Sequence, residues 1–105
     1  MDMSQIMEQA QQFQHKMTEM QAEVAKKTVT ATVGGGMVTA VVNGKHDVVS
    51  LTIDKEVINP DDPGMLQDLV VAAINEAMGQ AKEMIQGEMG KLTGGMGLDI
   101  PNMFG

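Results

Sequence analysis

Met3, Ile6, Ala10, Phe13, Met17, Met20 and Val24 recur along the start of the chain at alternating spacings of three and four. That is the seam of an amphipathic helix of about six to seven turns. Good helix formers such as Gln, Glu and Lys fill much of the remaining surface without Gly or Pro, and Asp2 followed by Gln5 fits a capping-box start. At Lys27 the period changes to two. In TVTATV (28–33), Val29, Ala31 and Val33 alternate with threonines, which predicts a half-buried strand. Gly34 to Gly36 form a turn, and Met37 to Asn43 read as a second strand. Asn43-Gly44 predicts a type I′ hairpin turn, in which both central residues take positive φ. Val48 to Asp54 then puts Val49, Leu51 and Ile53 on one face of a third strand, completing a three-stranded antiparallel meander.

A polar connection ends in NPDDPG (59–64), where Asp62 as N-cap and Pro63 at the first helical position announce a second helix. Leu66, Leu69, Val70, Ala73, Ile74, Ala77, Ala81, Met84 and Ile85 keep a helical period, and the helix is expected to end near Glu88. Past Ala77 the apolar face narrows, and Gly79 costs about 1 kcal/mol relative to Ala inside a helix. The second half is therefore expected to project or fray. The predicted fold is α+β: helix, three-stranded antiparallel meander, helix, in one domain over residues 1–88. Residues 89–105, rich in Gly, are expected to form a flexible tail.

At 105 residues and 11.2 kDa the chain has room for one domain, which excludes a multidomain enzyme. A hydrophobic fraction of 43% supports a folded core despite a net charge of −7. Two Phe with no Trp or Tyr leave that core to Met, Val, Ile, Leu and Ala. The absence of Cys removes disulfides, thiolate nucleophiles and iron-sulfur ligation. No run approaches the ~18 apolar residues of a membrane span, and the N-terminus lacks a signal-peptide pattern, so a cytoplasmic protein with no membrane partner is expected.

Catalysis has little to stand on. His15 and His46 lie on a helix and beside a turn, with no nucleophile and base in register, so no enzyme is expected. Two His and scattered carboxylates give no metal spacing, and methionines such as Met17 and Met20 fall on the packing seam. Gly90-Lys91 is no phosphate loop, because Leu92 stands where Ser or Thr would ligate magnesium. Neither a metal nor a cofactor is expected.

Basic groups are the remaining candidates. Seven Lys and no Arg exclude bidentate readout of guanine, so any nucleic-acid contact uses Lys as a point charge on phosphate. Residues 1–27 carry a net −1, against −3 each for 28–62 and 63–105. The first helix is thus the least repulsive region, and Lys16, Lys26, Lys27, Lys82 and Lys91 are the candidate DNA contacts. Overall charge opposes long-range attraction to a polyanion, but local clusters act within the ~8 Å screening length. An apolar seam on a small, aromatic-poor chain needs a partner, which predicts a homodimer. Leu66, Leu69, Val70, Ala73, Ile74 and Ala77, together with the sheet, are the candidate dimer interface.

Three stretches carry a family resemblance: QAQQFQHKMTEMQAEV (9–24), GGGMVTAVVNGKHDVVSLTID (34–54) and MLQDLVVAAINEA (65–77). Over nearly its whole length the chain resembles the YbaB/EbfC family of bacterial nucleoid-associated proteins. The resemblance implies a tweezer-like homodimer in which paired helices project from a central sheet. It also implies non-catalytic binding of duplex DNA, largely without sequence specificity, that alters DNA conformation and so affects nucleoid organisation or gene expression. Where relatives often carry Arg or Lys, this chain reads VVS (48–50) and MGQ (78–80). The alternative is a protein-interaction module that docks a DNA replication or recombination protein, with weak or no DNA binding. Steep salt dependence of binding to random duplex DNA separates the two.

Overall fold

The computed structural model describes residues 2–95. Helix α1 (Met3–Lys26) leads into strands β1 (Thr28–Val33), β2 (Val38–Asn43) and β3 (Val48–Ile53). A short 3-10 turn (Lys55–Val57) follows, and then helix α2 (Pro63–Gly95). The strands form one antiparallel sheet in the order β1-β2-β3. The predicted fold class of helix, meander and helix is therefore the observed one.

Local signals set the helix starts. The Asp2 carboxylate accepts from the Ser4 N–H at 3.1 Å, and the Asp62 carboxylate accepts from Met65 N–H at 3.3 Å just beyond Pro63. In the sheet, β2 is the central strand and buries Val38, Ala40 and Val42. Ala31 from β1 and Ala73, Ala77 and Ala81 from α2 join the same core. Those three alanines recur every four residues, one per turn, so α2 presents a flat stripe to the sheet. Leu69, Val70, Ile74 and Met78 pack around its margins.

Two hairpins make the meander, and each differs in its chemistry. Gly34, Gly35 and Gly36 take φ of 63, 68 and 97°, a run in the left-handed region that a side chain disfavours. The second hairpin is not the expected type I′ turn. Asn43 and Asp47 flank a three-residue loop closed by His46 N–H donating to Asn43 O (3.0 Å), and the positive φ falls on His46 (64°) rather than Gly44. The Asn43 side-chain oxygen accepts from both Lys45 N–H and Asp47 N–H, which stabilises this longer loop. A register shift follows in β3: Val48 stands opposite Val42, while Leu51 and Ile53 stand opposite Ala40 and Val38. Val49 falls at the irregularity and not in line with Leu51 and Ile53.

Helix α2 runs to Gly95, seven residues past its expected end at Glu88. Gly87 and Gly90 each cost only about 1 kcal/mol. Set against this, Met89 lines a groove with Met20 and Val24 of α1, Leu92 is half-buried, and Thr93 donates its hydroxyl to Gly90 O. Residues 89–95 are thus helix and not tail, and the rest of the expected tail, 96–105, lies outside the described residues.

Candidate nucleic-acid interface

The last turn of α1 is the structural node of the molecule. Val24 is buried at the end of the helix seam, whereas Phe13, Met17 and Met20 are half-buried and Ile6 and Met3 stand 48% and 73% exposed. The seam is covered only toward its C-terminal end. From there Lys27 adopts extended backbone and turns the chain into β1, and its carbonyl accepts the Gly44 N–H at 3.1 Å. That bond brings the β2–β3 loop, with Lys45, against the α1–β1 junction.

Lys27 also reaches α2. Its Nζ lies 2.6 Å from Glu88 Oε1, and Lys91 Nζ stands 3.6 Å from the same oxygen. Side-chain exposure is 19% for Glu88, 48% for Lys27 and 78% for Lys91, so the Glu88 side chain is recessed and both lysine side chains are open to water. The hydrogen bond from Lys27 holds the Glu88 carboxyl below the usual carboxylate range. Partial burial opposes that shift, and the charges of Lys27 and Lys91 reinforce it. A second ion pair, between His15 Nε2 and Glu19 Oε1 at 2.8 Å, lies exposed within α1.

The five candidate lysines do not form one cluster. Lys27 and Lys91 meet at Glu88, at the junction of α1, β1 and the outer half of α2, and Lys26 precedes Lys27 as the last residue of α1. Lys16 is exposed on α1 about 15 Å back along the axis from Lys26, and Lys82 is exposed about 9 Å before Glu88 on α2. Lys27 is not the free surface charge that its neighbourhood in sequence suggests, because Glu88 holds it. Lys45 is a cation that sequence reasoning misses; its only local signal is that it follows Asn43-Gly44. Lys45 lines a groove of about 380 Å³ with Met20, Val24 and Met89. Among the described residues, no group of three or more His, Asp or Glu is placed to hold a metal.

The candidate dimer residues divide similarly. Ala73 and Ala77 are fully buried in the chain's own core and have no surface left to offer a second copy. Leu66, Leu69, Val70 and Ile74 keep partial exposure. The edge strand β3 separately leaves Val48, Val49 and Leu51 exposed, as is Val71 on α2.

Comparison with known proteins agrees with this architecture. Residues 1–96 match the model of the YbaB/EbfC DNA-binding family. A nucleoid-associated protein of Syntrophobacter fumaroxidans is 50% identical over 101 residues, covering 93% of this chain and 92% of its own. One from Clostridium acetobutylicum is 50% identical over 102 residues (97% and 89%), and one from Thermoanaerobacter sp. strain X514 is 52% identical over 99 residues (94% and 87%). The fold is shared with a crystal structure of an uncharacterized protein from Helicobacter pylori. The TM-score is 0.78 at 23% identity, over 88% of this chain and 97% of that one.

Proposed function

Because this chain belongs to the YbaB/EbfC DNA-binding family, we propose that it is a non-enzymatic nucleoid-associated protein of the cytoplasm that binds duplex DNA through lysine contacts to phosphate. The observation that carries the reading is the match over residues 1–96, supported by relatives named nucleoid-associated at about half identity. The alternative of a protein-docking module is not favoured by these comparisons. With no Arg in the chain, the contacts position DNA and do not read guanine, so binding tolerates sequence. No helix among the described residues is long and apolar enough to cross a membrane.

The binding unit in this reading is a homodimer. Val48, Val49 and Leu51 on the edge strand β3 supply uncharged apolar surface for a second copy, and Leu66, Val70 and Ile74 on α2 keep partial exposure. Dimerisation doubles every lysine without adding a residue to the chain. The deciding experiment is binding to random-sequence duplex DNA at ~50 and ~200 mM salt, with the oligomer measured by light scattering. Affinity should fall steeply between the two salts, as counterion release requires. Absence of binding at ~50 mM salt overturns the DNA reading, and a clean monomer at low micromolar concentration overturns the dimer.

A further inference from the structure

Two ammonium groups from different elements meet at one oxygen. Lys27 comes from the α1–β1 junction and Lys91 from α2, and they lie 2.6 and 3.6 Å from Oε1 of Glu88. Lys27 donates a hydrogen bond to that oxygen while Lys91 stands at ion-pair distance, a pair of cations that suits a phosphate oxygen as it suits a carboxylate, since both anions accept charge-assisted bonds. Both lysines are open to water while the carboxylate is recessed behind them. An incoming phosphodiester therefore reaches the ammonium groups from the solvent side without rearranging the core.

We propose that Lys27 and Lys91 form one phosphate-binding site whose occupant in the free protein is the chain's own Glu88, so that Glu88 competes with DNA and restrains binding. The inference rests on the DNA-binding reading above. In a chain with seven Lys and net charge −7, committing two of those cations to an internal anion is a large share of the available attraction. The pair also links residues 61 apart in sequence, so DNA occupying the site loosens the tie between the end of α1 and the outer half of α2. The lowered carboxyl of Glu88 is consistent with a carboxylate that stays ionised and keeps the site filled at neutral pH.

The test compares Glu88→Gln with Glu83→Gln, an exposed substitution on the same helix that removes the same charge. Competition predicts that Glu88→Gln tightens binding to random duplex DNA roughly tenfold at ~50 mM salt, the scale of one charge-assisted contact, and that Glu83→Gln gains less. Replacing Lys27 and Lys91 with Gln should erase the extra gain of Glu88→Gln, as a double-mutant cycle detects. Glu88→Asp is a second variant that keeps the charge but retracts the carboxylate by one methylene. It should also tighten binding, which removes net charge as the explanation. Equal gains from Glu88→Gln and Glu83→Gln, or weaker binding by Glu88→Gln, overturn the proposal and leave Glu88 a structural tie. Failure of the unsubstituted protein and all variants to bind at ~50 mM salt would instead overturn the DNA reading itself.

Discussion

Gly44 lies so close to Val24 that a Cβ built on it would overlap the Val24 carbonyl oxygen. Its N–H also donates to Lys27 O, so the β2–β3 loop and the last turn of α1 meet backbone to backbone. This glycine is required by a close approach between elements about 20 residues apart in sequence, and not by the positive φ that its place after Asn43 suggests. Gly44→Ala should therefore destabilise the fold by at least about 2 kcal/mol, since backbone on both sides must shift. Gly35→Ala is a useful contrast: it has open space but φ of 68°, and its loss reflects left-handed strain of about 1 kcal/mol. Urea unfolding of the two variants measures the difference.

Gly79 is the opposite case. It lies inside α2, and nothing stands within 4 Å of where its Cβ would be. Gly79→Ala adds helix propensity and reduces the freedom of the unfolded chain without a clash. It should stabilise the protein by about 0.5–1 kcal/mol, read as a higher unfolding midpoint with an unchanged m-value.

The contrast between these glycines shows what sequence patterns carry. Period-2 threonine and valine alternation in 28–33 and the helical recurrence of Leu69, Ala73, Ala77 and Ala81 are local, and both elements form where they read. Asp2 and Asp62-Pro63 mark helix starts by chemistry within four residues. What stays hidden in the sequence depends on distant partners. The pairing of Lys27 with Glu88 spans 61 residues, so Lys27 reads in sequence as a free surface charge. Local pattern ends α2 too early because glycine propensity is a weak local penalty, while Glu88 and Met89 gain their partners only once the end of α1 lies alongside.

The Lys27–Glu88 pair should make stability depend on acid. Lys27 and Lys91 are the charged groups facing Glu88, and together they hold its carboxyl below the usual range. A lowered native pKa means that the unfolded chain takes up the proton first as pH falls. The pair's contribution is therefore fully present above the unfolded value of about 4.3 and is lost as pH drops through the lower native value. The difference in unfolding free energy between the protein and Glu88→Gln should be present at pH 7 and shrink below pH ~4. A difference that persists unchanged in acid would mean that the ionised carboxylate contributes nothing.

Adjacent lysines should respond differently to charge reversal. Lys26 closes α1 as an exposed residue, and no ion pair of its own is found among the described residues. Lys26→Glu should leave stability within about 1 kcal/mol, the scale of a reversed charge at a helix C-terminus. It should weaken binding to all duplex sequences about equally and lower the log-log salt slope by roughly 0.9 for each phosphate that is no longer neutralised. Lys27→Glu puts a second carboxylate against recessed Glu88, where only Lys91 remains to offset two negative charges. Its first effect is on the fold: the tie between α1 and α2 becomes a repulsion, and the unfolding midpoint should drop well beyond that of Lys26→Glu. Adding Glu88→Lys to Lys27→Glu restores opposite charges at the same two positions, and recovery of the midpoint would identify the loss as that pair. If single reversals at 26 and 27 give the same midpoint, the 2.6 Å ion pair contributes nothing to holding the helices together.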